Sequence, residues 1–428
     1  MQYVWQHRLW LPTDMVTTDG RRIEVIDPGL LNSDSGPDFF NAKIKIDGRL
    51  WAGNVEIHVR ASDWHSHGHD SDPAYHSVVL HVVEQDDTPI LRPNGETIPQ
   101  VVMPCAADFA NIYDRMVRDP LSELPCARHI VELEGIYITD WLTRLAFERL
   151  GEKADRILGY LDRAGGDWGQ AVFVALARAL GFSTNSDPFE LVALATPLRK
   201  LMRHCDSLTS IEGALFGQAG FLDTLTPDAA ADPYVRRLVE EYTFMAHKYE
   251  LQRPAALAWK TGRMRPHNFP HRRLATLAAM VADNFSIGYN ITSVSGVEEA
   301  RRLFDIELSG YWAHRFNFGE PACRTTKALS DSSVNILLIN VTAPVLYAYG
   351  IRTGRPESCV LATEILQALP PEDNSIIRIF TATGISCNDA LTSQAMIQLR
   401  NQYCRPRKCL YCRIGHRYFA QKAILRPV

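Results

Sequence analysis

The chain has 428 residues, 46% hydrophobic and 22% charged, with 45 basic residues against 49 acidic ones for a net charge of -4. At ~150 residues per domain this length predicts about three domains. The composition excludes a disordered or collagen-like chain, and the charge excludes a basic field over the whole surface, so any nucleic-acid surface has to be local. No run of ~18 apolar residues is present to span a membrane. The start, Met1 to Trp10, carries His7 and Arg8 and lacks the apolar stretch of a signal peptide. The expectation is a cytoplasmic protein without a membrane partner, its oligomeric state left open. In a reducing compartment the nine cysteines, three of them within the last 25 residues, point to metal rather than to disulfides.

Residues 1–105 read as β-rich. Arg22 to Ile26 is a short strand. Ala42 to Ile46 alternates apolar and basic residues, and Asp47-Gly48 is a hairpin dipeptide, so Arg49 to Arg60 is predicted to return as the partner strand. Val78 to Val83 is a nearly continuous apolar run, the pattern of a strand covered on both faces. Pro99 to Pro104 holds a last extended piece. Residues 106–400 change to helical spacing: Thr139 to Leu161, Gly169 to Leu180, Phe189 to His204, Pro233 to Tyr249, Arg272 to Asp283, Gly296 to Leu308, Ala362 to Ala368 and Asn388 to Cys404. Val334 to Tyr349 is apolar but contains Pro344 and is predicted to kink or break there. Residues 401–428 form a basic, cysteine-rich tail. The fold class is therefore α+β or α/β: a mixed β-sheet domain, a large all-α domain and a tail.

Two stretches carry chemistry near the start. Gly36-Pro37-Asp38-Phe39 leads into the hairpin, and Val55-Glu56-Ile57-His58 lies on its returning strand. Glu56 and His58, two apart, share one strand face. A two-residue turn pairs Ile46 with Arg49 and sets Phe39 opposite Glu56, within one residue of Asp38. Strict alternation then aims Asp38 at the wrong face, so a bulge or strand end has to redirect it. From Ser62 to His76 the chain is histidine-rich; six of the fourteen histidines (His58, His65, His67, His69, His76 and His81) fall between residues 58 and 81. On an extended segment His65, His67 and His69 share one side, and the loop can fold over the Asp38/Glu56 site and bring His65 or His67 to it as metal ligands. Trp64 and Tyr75 are expected to pin its ends. His81, alone in an apolar run, reads as a hydrogen-bonded core residue.

The spacing of Pro37-Asp38 and Glu56-Ile57-His58 resembles the signature of the PD-(D/E)XK nuclease-like superfamily. The likeness covers about the first hundred residues and implies a restriction-endonuclease-like core there. Asp38 and Glu56 would hold Mg²⁺ or Mn²⁺, and the Ile57 carbonyl would be a third ligand. His58, standing where that superfamily has Lys, would orient or deprotonate water and shift the preference towards Mn²⁺ or another imidazole-tolerant ion. Over essentially its whole length the chain also resembles a bacterial family known only as a domain of unknown function. The blocks that carry this likeness are Gly36 to Phe39, Val55 to His58, Arg265 to Pro270 and Cys404 to Gly415.

The tail holds Cys404, Cys409 and Cys412, with His416 four residues on, a donor set with the softness and reach for Zn²⁺. Some nucleases of the resembled superfamily hold an iron–sulfur cluster on C-terminal cysteines. A cluster here needs a fourth cysteine from afar, such as Cys126, Cys359 or Cys387. Arg407, Lys408 and Arg413 in the tail, and Arg263, Arg265 and Arg272 in the densest basic stretch before it, are candidate phosphate contacts for DNA or RNA. The leading expectation is metal-dependent phosphodiester hydrolysis by Asp38, Glu56 and His58. Two alternatives stay open. One is a non-catalytic nucleic-acid- or protein-binding module on the same scaffold. The other is a metal hydrolase built on the His65–His69 loop.

Overall fold

The structure is a computed structural model. It describes residues 1–10, 15–32, 34–103, 111, 113–114, 117–118, 123–204, 207–255, 257–283, 287–308, 310–319, 321 and 327–424. The expected boundary near residue 105 lies outside these. By internal contacts the chain divides into two compact units rather than three parts. The first contains Met1–Trp141, Ala382–Gly384 and Leu399–Val428, so the tail belongs with the sheet. The second contains Leu142–Thr381 and Ile385–Gln398.

The first unit begins with a short helix, α1 (Gln2–Gln6), and is built on six strands: β1 (Ile23–Asp27), β2 (Leu30–Leu31), β3 (Phe39–Ile46), β4 (Arg49–Arg60), β5 (Val78–Gln85) and β6 (Gln100–Val102). The sheet order is β1-β3-β4-β5-β6, with β2 also on β3. Pairings on β3 are antiparallel, while β4–β5 and β5–β6 are parallel. The sheet is therefore mixed, as expected. Ile46 pairs with Arg49 across the Asp47-Gly48 turn, as the spacing predicts.

Further along the hairpin the register slips. Phe39 pairs with Val55, not Glu56, because β3 carries an extra residue between Phe39 and Ala42. Asn41 takes the left-handed backbone there (φ 56°), a conformation that Asn tolerates better than most side chains. This bulge supplies the redirection that strict alternation denied Asp38.

One face of the sheet buries Phe39, Ala42, Ile44, Val55, Ile57, Leu80, Val82 and Val101 together with Val4, Trp5 and Leu9. On the other face, parallel pairing sets Glu56 beside His81, and His81 beside Gln100. A polar row thus crosses three strands, and all three residues are at most 5% exposed. The link from β4 to β5 covers this row. It folds as a single turn, α2 (Asp63–Ser66), a left-handed Gly68 and a 3₁₀ turn at Pro73–Ser77. Trp64 and Tyr75 sink into a small apolar cluster with Val78, Ile90 and Ile98 and pin the link at both ends.

The second unit is helical. α3 (Gly135–Arg163) starts in the first unit and continues into it, followed among others by α4 (Trp168–Leu180), α5 (Leu208–Gln218), α6 (Pro233–Tyr249), α7 (Pro270–Asp283), α8 (Ala343–Thr353) and α9 (Pro356–Ala368). α4, α5 and α7 are buried almost all round and form its core. Pro344 does not break its helix. A π-helical segment, Leu338–Thr342, precedes it inside one continuous apolar helix, Asp331–Thr353, and the wider turn accommodates the missing N–H and the ring. That helix is long and apolar enough to span a bilayer, and 67% of its most apolar window is buried inside the protein.

Candidate metal centre

The bulge decides what Asp38 does. Its Oδ2 accepts from the Ile57 N–H at 3.0 Å, its Oδ1 accepts from Gln2 Nε2 at 2.6 Å, and its own N–H donates to Glu56 Oε2 at 3.0 Å. Asp38 is thereby a latch between the bulged strand and β4, with both carboxylate oxygens already engaged.

The other oxygen of Glu56, Oε1, faces a cluster of histidines. It stands 3.3 Å from His58 Nε2 and 3.3 Å from His69 Nε2. His58 Nε2 is 3.1 Å from His67 Nδ1. Among the described residues, His58, His67 and His69 are the group whose ligand atoms all lie within 4.8 Å of one another. The His69 ring stacks on Tyr75 at 3.7 Å, and its buried Nε2, though close to Glu56 Oε1, makes no aligned hydrogen bond.

Behind this cluster runs a relay. Gln100 Nε2 donates to Asp86 Oδ1 (2.7 Å) and to the Thr88 carbonyl (3.2 Å), which leaves Gln100 Oε1 to accept from His81 Nδ1 at 3.1 Å. His81 Nε2 is then the acceptor for His58 Nδ1–H at 2.9 Å. The chain of assignments ends with a lone pair on His58 Nε2, aimed into the cluster. A metal-ligating His generally has its other ring nitrogen tied in this way.

The electrostatics fit a cation. Burial, with Asp38 nearby, pushes the Glu56 carboxyl up to about 8. Burial and the neighbouring histidines push His58 down to about 3, and burial pushes His81 down to about 4. Near neutral pH the imidazoles therefore keep their lone pairs, and the carboxyl has no positive neighbour to ionise against.

The sequence-predicted residues separate as follows. Glu56, His58 and His67 come together. His65 does not: α2 and Gly68 replace the extended segment that would have aligned it with His67, and it pairs with Asp70 at 2.7 Å on the surface, its side chain 49% exposed. His69 takes the place expected of it. His81 is a core residue as expected, but one that orients the His58 ring. Gln100 was not anticipated, because only the order β4-β5-β6 brings it beside His81.

Cys404, Cys409 and Cys412 are buried together in the first unit. His416 is engaged elsewhere: its Nδ1 lies 2.6 Å from the Tyr3 hydroxyl, with the His7 ring 4.4 Å from its own. Of the candidate phosphate contacts, Arg263, Arg265 and Lys408 are exposed and Arg407 is half-buried, while exposed Arg413 pairs with Asp140. Arg272 is a correction. It is 0% exposed, and its guanidinium bonds the carbonyls of Trp312, Arg315 and Lys327, so it ties loops inside the second unit and cannot reach a phosphate.

Together these features define an α+β protein with a buried imidazole–carboxylate centre on a mixed sheet. Residues 1–375 match the family described as Protein of unknown function (DUF2851), and the chain belongs to that family. No curated protein and no solved structure shows significant similarity to it.

Proposed function

We propose that the first unit is a divalent-metal hydrolase whose ion is held by His58, His67 and His69 with Glu56. The observation that carries this is a distance match. Ligand bonds of 2.0–2.1 Å to a tetrahedral Zn²⁺ give a ligand–ligand edge of about 3.3 Å. Three separations here, His58–His67, His58–Glu56 and His69–Glu56, are 3.1, 3.3 and 3.3 Å. The buried His69 Nε2, which makes no aligned hydrogen bond, gains a bonding partner in such a centre. Three imidazoles favour Zn²⁺ over Mg²⁺, which prefers oxygen.

When bound, such an ion polarises a substrate oxygen and lowers the pKa of a coordinated water. The chain supplies the rest. Glu56 would be the one carboxylate of the set, ligating through Oε1 while its Oε2 stays on the Asp38 N–H. The Gln100–His81–His58 relay fixes one ligand's ring, and exposed His67 is the side from which solvent and substrate enter. The substrate class is a phosphodiester, following the resemblance of Pro37-Asp38 and Glu56-Ile57-His58 to nuclease-like motifs. Protein loaded with Zn²⁺ or Mn²⁺ is expected to cleave bis(p-nitrophenyl) phosphate and single- or double-stranded DNA or RNA. His69→Ala and Glu56→Gln are expected to lower the rate at least ~100-fold. Loaded protein that leaves all of these intact overturns the reading.

A second reading keeps the ion between Asp38 and Glu56, supported by their adjacency through the 3.0 Å Asp38 N–Glu56 Oε2 bond. It predicts that Asp38→Ala loses metal, whereas the first reading predicts that His69→Ala does.

A further inference from the structure

We infer that Cys126 joins Cys404, Cys409 and Cys412 in a four-thiolate centre of the first unit that takes an iron–sulfur cluster. Cys126 lies far away in sequence, just before α3, but it packs against the small core formed by Cys409, Tyr418 and Phe419. Each of the four thiols is within electrostatic reach of the other three. Cys359 and Cys387, the other candidates for a fourth ligand, belong to the second unit and direct their sulfurs at the carbonyls of Tyr347 and Asp389.

The local backbone has the form of a thiolate cradle. Cys404 ends a π-helical turn, Leu399–Cys404. A left-handed Arg407 (φ 57°) reverses the chain, and a 3₁₀ turn, Cys409–Tyr411, leads to Cys412. The Cys412 sulfur accepts the backbone N–H groups of Ile414 and Gly415 at the start of the last helix, α10 (Arg413–Ile424). Donors aimed at a sulfur stabilise its thiolate form and tune a bound metal. Gly415 is required for this approach, because a Cβ there would collide with the Cys409 carbonyl oxygen. The buried indole N–H of Trp141, which has no oxygen or nitrogen partner, lies beside Cys412. Arg400 acts on Cys404 and Arg407 on Cys409, offsetting thiolate charge.

Four cysteines with no histidine among them are the donor set that iron–sulfur clusters take. A single Zn²⁺ on the same set would draw the sulfurs to edges of about 3.8 Å.

The test is metal and sulfide analysis of the full chain purified without oxygen, with its visible spectrum. Iron and acid-labile sulfide in equal amounts are expected, with broad visible absorption. Cys126→Ser should lose most of both and Cys359→Ser should lose neither. Cys126→His, which keeps a donor, should retain iron with a shifted spectrum, so that ligand loss is separated from misfolding. Zinc without iron in the wild type overturns the cluster, and full iron in Cys126→Ser overturns the role of Cys126.

Discussion

His81 Nε2 lies 2.9 Å from His58 Nδ1, and this contact decides which nitrogen of His58 is free. Were His81 absent, His58 could present either tautomer to the cluster. Removal of such a partner costs a metal site roughly 10–100-fold in affinity. His81→Leu is therefore expected to bind Zn²⁺ about 10–100 times more weakly in a chelator competition, with the secondary structure by circular dichroism unchanged. Unaltered affinity would separate the relay from the metal.

The metal-free protein should show opposing pH effects from this one site. His58 and His81 are held at about 3 and about 4 against 6.5 unfolded, so their contribution is present above pH 6.5 and lost as pH falls towards those values. Glu56 is raised to about 8 against 4.5 unfolded, so its contribution is present below pH 4.5 and lost as pH rises through 8. Between pH 4.5 and 6.5 two imidazoles outweigh one carboxyl and stability rises with pH. Between 6.5 and 8 Glu56 acts alone and stability falls. Glu56→Gln removes the alkaline decline, so its urea midpoint relative to wild type should climb between pH 6.5 and 8. A difference independent of pH would refute the burial of a neutral Glu56.

Asp38→Ala removes the acceptor of the Ile57 N–H inside the sheet. An unpaired buried donor costs about 1–3 kcal/mol. Denaturant unfolding should show that loss, while zinc content stays at the wild-type value.

In the second unit, Arg272→Ala strips three carbonyls of their partner and leaves a cavity. A loss of about 3 kcal/mol or more is expected. Affinity for single-stranded DNA, measured on the folded fraction, should not change. A specific drop in DNA binding at unaltered stability would restore Arg272 to a nucleic-acid surface.

The strands and most helices were legible in the sequence because their periodicity is local. Arg49–Arg60 and Pro233–Tyr249 are strand and helix over the ranges that the pattern predicts. Pairing of Glu56 and His58 on one face was legible for the same reason. What was not legible depended on register and on turns. One bulge at Asn41 moved Phe39 from Glu56 to Val55 and turned Asp38 into a latch. One helical turn, Asp63–Ser66, split His65 from His67, and the left-handed Gly68 follows before His69. Gln100 and Cys126 reach their partners only through strand order and chain return, which no short motif encodes.

The central claim is that one divalent ion rests on His58, His67 and His69. Inductively coupled plasma mass spectrometry of zinc-loaded, desalted protein tests it most directly when His69→Ala and His65→Ala are compared with wild type. His69→Ala should hold one ion per chain fewer, and His65→Ala should match the wild type. Equal metal content in wild type and His69→Ala, or a loss in His65→Ala alone, would contradict it.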